Sequence, residues 1–311
     1  MTTFELLLMT RFLWMLVLLP ALWACGGGTV QTRKAQTAEE RARERKALKV
    51  AVMPTLDCLP FYVARENRLF DTLGVDVRLR YFSAQMDVDT ALASGSVAVA
   101  VTDLVRYARL KKQGTALSLL SATGAYWQLL TNRNARIRAL RQLDDKMVAM
   151  TRYSATDLLA GYAIDSVRLK DERVYRVQVN DVNLRLMMLL NNEMDAMLLP
   201  EPQATVARNY KHIVLMDSRK LGLNLGAVAM RSDKLDGPDD RRLALLVKAY
   251  NMACDTINKY GVAHFGPLME RYWHLKERMA DSLPTNIRFT HAALPRQRDI
   301  DAAEKWLGQR R

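Results

Sequence analysis

Between Leu48 and Leu79 the chain reads LKVAVMPTLDCLPFYVARENRLFDTLGVDVRL, and this stretch restricts the fold more than any other. Leu48, Val50 and Val52 alternate, so one side of a short strand can enter a core. Pro54 breaks the run and a loop follows, Thr55-Leu56-Asp57-Cys58. Pro60 suits the first turn of a helix, where the amide that proline lacks is not needed. Phe61, Tyr62, Val63 and Leu69 give that helix an apolar side, and Gly74 is its expected C-cap. Val75, Val77 and Leu79, alternating with Asp76, Arg78 and Arg80, form a second strand. The product is a strand–loop–helix–strand unit whose loop lies at the carboxyl end of the first strand, the position where open α/β sheets bind ligands.

The same stretch resembles the substrate-binding proteins of ABC importers for nitrate, sulfonates, taurine and thiamine-pyrimidine precursors. The matching pieces are Leu59-Pro60-Phe61-Tyr62-Val63-Ala64, Leu69-Phe70 and Leu73-Gly74-Val75-Asp76-Val77. Ala91-Leu92-Ala93-Ser94-Gly95 running into Val99-Ala100-Val101-Thr102-Asp103-Leu104 also fits, as does Pro200-Glu201-Pro202 after Asp195-Ala196-Met197-Leu198-Leu199. The likeness spans Leu48 to Met230 and fades beyond. It implies a type II periplasmic binding protein-like fold, two α/β lobes around a hinged ligand cleft. It also implies a monomer that captures a small solute and hands it to an ABC permease in the inner membrane.

The N-terminus reads differently. Phe12 to Trp23 is an apolar run led by Arg11, too short to span a bilayer comfortably, and it closes on Leu22-Trp23-Ala24-Cys25 before three glycines. This is a secretion signal over residues 1–24. Cys25 resembles the bacterial lipoprotein cysteine, whose thiol is diacylated, so the chain is expected to be held by palmitate-type lipid on the periplasmic side of a membrane. Glu5 is out of place in a signal's leading region, and a start at Met9 gives Met9-Thr10-Arg11 and an uninterrupted core. Residues 25–47 are polar and charged with no face to bury, and form a tether. From Gln31 to Lys46, six basic residues against three acids give +3, so of the formal +13 about +10 belongs to the remainder. Beside a tether, that charge suits anionic lipid headgroups. Nucleic acid is the rival partner, but no recognition helix or aromatic stacking motif accompanies the charge.

At 311 residues there is enough chain for two lobes, each with its own core. Residues 48–125 and 217–311 are assigned to lobe one and residues 126–216 to lobe two. In lobe one, Gln85 to Ser94 is a helix closing on Gly95, Val97 to Val101 a buried strand, and Leu104 to Lys112 a helix capped by Thr102 or Asp103. Ala116 to Ala122 is a strand, and the chain crosses near Gly124. In lobe two, Met147 to Met150 is a strand, Ser154 caps the next helix, Tyr175 to Val179 and Ala196 to Leu199 are strands, and His212 to Met216 is the return toward lobe one. The remainder is expected to be mostly helix, including Leu243 to Tyr260, Phe265 to Leu275 and Ile300 to Leu307.

Within this frame the lobe-one wall of the cleft is Leu56, Asp57, Cys58, Thr102 and Asp103. Gly124 and Tyr126 stand at the crossing, where Tyr126 or Trp127 offers a ring for stacking. Tyr153, Ser154, Ala155 and Thr156 stand at a helix N-terminus in lobe two, and Glu201 closes the far side. Ser154 and Asp103 have a plainer role as caps. No metal set, P-loop, G-x-S-x-G elbow or HExxH is present, and no cofactor is expected. Cys58 and Cys254 read as two free thiols rather than a bridge. Fungal pyrimidine-precursor synthases on the same fold carry a cysteine-rich iron-binding segment that this chain lacks, which favours a binding protein over an enzyme; a ligand-sensing lipoprotein without a permease is the other alternative. The walls carry Asp57, Asp103 and Glu201, and Arg152 is the one cation beside them. Carboxylates accept hydrogen bonds and cannot donate them, so a ligand with N–H donors or positive charge, such as an amino-heterocycle, is expected in preference to nitrate or a sulfonate.

Overall fold

The computed structural model describes residues 44, 46–235 and 240–309; Met9, Cys25 and most of the tether lie outside the described residues. The chain builds two five-stranded mixed sheets, β2-β1-β3-β10-β4 and β7-β6-β8-β5-β9, each with helices packed on it. In the first sheet, β1 (Leu48–Val52) lies parallel between β2 (Val77–Tyr81) and β3 (Val99–Asp103), with Val50 opposite both Leu79 and Val99. A parallel strand in that position is covered on both faces, which is why Val50, Ala51 and Val52 are all buried.

The second sheet repeats the pattern. β6 (Lys146–Met150) is parallel to β7 (Val174–Gln178) and to β8 (Ala196–Pro200), and β5 (Trp127–Thr131) runs antiparallel to β8 and to β9 (Ile213–Asp217). The chain passes from β4 (Leu117–Ala122) in the first sheet to β5 in the second, and returns from β9 to β10 (Gly226–Arg231), which inserts antiparallel between β3 and β4. The residues from 213 to 216 therefore stay in the second sheet as its edge strand, and the return expected there is made by residues 218–225. Where the two passages meet the space is tight: a Cβ on Gly226 would stand 2.2 Å from Thr123 Oγ1 and 2.5 Å from the Ala125 Cβ. Only glycine fits there.

Two other expectations are corrected. The helix over Pro60 does not continue to Leu69. It ends at Glu66, Arg68 turns left-handed at φ 54°, and a separate turn of helix, Leu69–Thr72, follows. Phe70, on that second turn, enters the core at 4% exposure. The C-terminal region is also less helical than its apolar spacing suggests. Helices Arg241–Tyr260, Gly266–Trp273 and Gln297–Gln309 form, but residues 284–296 run as an irregular strap. Asn258 holds it at both backbone groups of Phe289 (2.7 and 3.0 Å), Asn251 accepts from the Ala292 amide (2.8 Å), and the Ala122 amide donates to the Ala293 carbonyl (2.7 Å). No helix among the described residues is long and apolar enough to cross a membrane.

Candidate functional site

The loop after β1 is a 3-10 turn, Leu56–Cys58, leading straight into helix Leu59–Glu66 with Pro60 in its first turn. It faces lobe two and is bound to it: the Leu56 amide donates to the Glu201 carbonyl at 2.8 Å, and Gln203 Nε2 donates to the Pro54 carbonyl at 2.9 Å. At the other side of the opening, the Val182 amide donates to the Ser83 carbonyl at 3.2 Å, and Ser83 Oγ donates to the Asp181 carboxylate. The lobes are thus closed on each other. Between them lies a cavity of about 50 Å³, room for only a few water-sized groups.

Eight of the twelve residues expected at the ligand line this cavity: Leu56, Asp57, Cys58, Thr102, Asp103, Gly124, Tyr126 and Glu201. Asp57 accepts from Thr123 Oγ1 at 3.3 Å; burial pushes its carboxyl up, and hydrogen bonds from Thr55 and Thr123 offset part of that. Asp103 is both cap and wall. Its Oδ1 accepts from the Val105 and Arg106 amides, each at 3.0 Å, at the start of helix Leu104–Lys112. Its Oδ2 is buried without a hydrogen bond of ordinary geometry, although the Ala155 amide lies near enough to lower its pKa. Burial prevails, and the Asp103 carboxyl is pushed up to about 6. Burial and the neighbouring Asp57 hold the Cys58 thiol well above its usual range, so at neutral pH it is a protonated, unreactive wall. Cys58 and Cys254 are both free and buried.

Glu201 lines the cavity but its carboxylate is engaged. Tyr126 Oη donates to Oε1 at 2.9 Å, Arg208 pairs with Oε1 at 2.8 Å, and the Thr205 amide donates to Oε2 at 2.9 Å. Tyr126 in turn has Arg219 over its ring at 4.0 Å, so one face is already covered.

The four lobe-two residues Tyr153, Ser154, Ala155 and Thr156 do not line the cavity. Ser154 caps helix Ala155–Ser166 by accepting from the Thr156 amide (3.1 Å) and donates to the Thr151 carbonyl (2.7 Å), while Thr156 Oγ1 accepts from the Thr151 amide (2.9 Å). Tyr153 lies on a separate groove with Arg152, and Arg109 covers its ring at 5.0 Å.

The expectation that Arg152 is the one cation beside the site is corrected: Arg106 and Arg288 line the cavity, and Arg152 does not. Arg106 is 1% exposed and is fixed by Asp89, at 3.0 Å from Nε and 2.5 Å from Nη2, and by the Gln85 carbonyl. Its Nη1 has no hydrogen-bond partner, nor do Gln85 Oε1 and Thr102 Oγ1 on the same wall. The signal for Arg106 was its place between Val105 and Tyr107 on an apolar helix, where a charge needs a buried partner. Ile287, Arg288 and Phe289, from the irregular strap, complete the lining.

Two α/β lobes closing on a small cavity define a two-lobed binding-protein fold. The family described as NMT1/THI5 like matches residues 55–227, and the chain belongs to it. Among solved structures, the fold is similar to that of the periplasmic aliphatic sulphonate binding protein SsuA from Escherichia coli (TM-score 0.70, 15% identity, 85% of this chain and 91% of that one). It is also similar to the periplasmic nitrate-binding protein NrtA from Synechocystis (TM-score 0.67, 13% identity, 84% and 80%). The Candida albicans CA3427 gene product, described as having the generic periplasmic binding protein fold, is similar at TM-score 0.65 (16% identity, 84% and 90%). No curated protein sequence matches the chain.

Proposed function

We propose that this chain is an extracytoplasmic solute-binding lipoprotein, anchored through Cys25, that captures a small solute bearing N–H donors or positive charge and delivers it to an ABC permease as a monomer. The lobe of the first sheet acts as one jaw and the lobe of the second sheet, which includes β9 through Asp217, as the other, and solute stabilises the closed form by touching both. The observation that carries the ligand class is the pair Asp57 and Asp103. Both face the cavity, and among the described residues neither has an ion-pair partner. Ligand donors would satisfy these carboxylates, whereas a desolvated oxyanion would repel them. An amino-heterocycle fits, with the open face of Tyr126 or the Trp127 ring for stacking. Inter-jaw hydrogen bonds flank the cavity, so entry requires the jaws to part.

Thermal-shift titration of residues 48–311 tests the class. Aminopyrimidines and amines raise the melting temperature and are recovered unchanged, and Asp57→Asn weakens them more than Arg152→Ala. Stabilisation by taurine, alkanesulfonates or nitrate alone would refute the ligand class, and turnover of a bound solute would turn the reading to an enzyme. The anchor is tested separately: Cys25→Ala abolishes incorporation of labelled fatty acid, and persistent labelling rules the anchor out.

A further inference from the structure

The chain leaves β5 at Thr131, the end of that strand remote from the cavity. Thr131 pairs with Ala196 at the start of β8, whereas Trp127 pairs with Pro200, next to Glu201. Residues 132–145 then cross this far end of the second sheet before β6 begins. They carry four arginines, Arg133, Arg136, Arg138 and Arg141, with no acid before Asp144, and all four are exposed. The backbone beneath them is fixed. Ile137 and Leu143 are buried in the apolar cluster of the second jaw, Thr131 Oγ1 donates to the Ile137 carbonyl (2.9 Å), and Gln142 Oε1 accepts from the Arg138 and Ala139 amides (2.8 and 3.0 Å). Arg136 holds a left-handed φ of 57°, a conformation that favours glycine, so the turn itself does not call for an arginine. Arg133 donates to the Tyr210 carbonyl at 3.3 Å. The side chains of Arg136, Arg138 and Arg141 have no ion-pair or hydrogen-bond partner among the described residues. The next acids along the chain are already engaged, Asp144 by Arg173 and Asp145 by Tyr175 Oη.

We infer that residues 132–145 form a docking surface for an anionic phospholipid layer, with Arg136, Arg138 and Arg141 as the cations that meet its headgroups. A guanidinium is always charged in a protein and binds phosphate through paired N–H donors. The makeup of the patch selects among anionic partners. A protein partner needs an apolar or aromatic anchor at the centre of its contact, and single-stranded nucleic acid needs rings to stack on. No large apolar or aromatic side chain between residues 132 and 145 is exposed. A headgroup layer asks only for a cluster of accessible positive charge. The surface is independent of Cys25 and of the solute, since none of its residues lines the cavity and it needs no acyl chain. It brings the far end of the second jaw to the lipid, and not the cleft.

The test is co-sedimentation of residues 46–311, one compact unit with its own apolar cores and without Cys25, with vesicles of phosphatidylglycerol and phosphatidylcholine. At about 0.05 M salt the protein binds these vesicles and ignores vesicles of phosphatidylcholine alone; about 0.5 M salt screens the charges and releases it. Changing Arg136→Gln, Arg138→Gln and Arg141→Gln together lowers the partition coefficient at least tenfold, since each cation near such a surface contributes roughly fivefold. Arg138→Gln with Arg141→Gln, which leaves the turn at Arg136 alone, loses part of the binding. A matched control, Lys111→Gln, Lys112→Gln and Lys305→Gln, removes the same charge from exposed positions on two other helices and keeps the binding. The assignment is overturned if the wild type ignores phosphatidylglycerol, or if the arginine variants keep native circular dichroism and bind as the wild type does. It is also overturned if the lysine variant loses as much, which would reduce the effect to net charge. Displacement from the vesicles by poly-glutamate at equal charge concentration would overturn it in favour of an acidic protein partner.

Discussion

The Leu56 amide and the Glu201 carbonyl meet at 2.8 Å, main chain to main chain, from opposite jaws. Each flanks a group that lines the cavity: Asp57 follows Leu56, and the Glu201 side chain is fixed by Tyr126 and Arg208. Closure therefore sets the cavity walls and the jaw contact in one movement.

Gln203 is the side chain best placed to test that closure. Buried at 3% exposure, its Nε2 reaches the Pro54 carbonyl and Asn183 Oδ1, both at 2.9 Å. Gln203→Ala removes a hydrogen bond worth about 1 kcal/mol, so the open form gains roughly fivefold. The expected result in small-angle scattering is a larger radius of gyration for the ligand-free variant. An unchanged radius would show that this contact does not hold the jaws together.

Asp103 should make stability fall as pH rises. Its folded pKa of about 6 lies above the ordinary carboxyl value of 3.8, so the native state binds more protons than the unfolded state between those values. The stabilisation is fully present below about pH 4 and is lost as pH climbs through 6, a contribution on the order of 2–3 kcal/mol. Asp57, also raised, acts in the same direction. Urea midpoints at pH 5 and pH 7.5 check this: relative to wild type, Asp103→Asn should gain stability at the higher pH. Equal pH slopes for the two proteins would contradict it.

The Arg106–Asp89 pair is sealed, at 1% and 7% side-chain exposure. Breaking it leaves an uncompensated buried charge, so Asp89→Ala should cost about 3–5 kcal/mol in chemical denaturation. Asp89→Leu with Arg106→Met, which removes both charges, should cost less than the sum of the single changes. Additive costs would mean that the two side chains are not coupled.

Much of the fold was legible because alternation and caps are local signals. Pro60, Gly95 and Asp103 mark element ends where the structure has them. The break at Arg68 was not legible, because Leu69 and Phe70 continue an apolar spacing that suits a straight helix as well as a bent one. The place of β9 depended on pairing with Leu129 and Leu130, eighty residues or more earlier in the chain, and nothing local encodes that partner. The same limit hid part of the site. Asp57 and Asp103 stood out as acids beside buried strands, but Arg106 acts only because Asp89 and Gln85 of another helix fold over it. The helix N-terminus at Ser154 was correctly read as a cap; that Asp103 would stand before it required both jaws in place.

The C-terminal helix Gln297–Gln309 buries Ala303 in a cluster that also holds Leu104 and Val105 from the first jaw and Leu158 and Leu159 from the second. A single rod wedged against both halves behaves as the spine of a book. Separation along that edge would tear apolar surface from both sides at once, whereas the jaw contacts at Ser83, Pro54 and Leu56 are hydrogen bonds. On the proposed solute-binding reading the jaws would part at the hydrogen bonds of Ser83 with Asp181 and Val182, and that is the doorway expected for a solute.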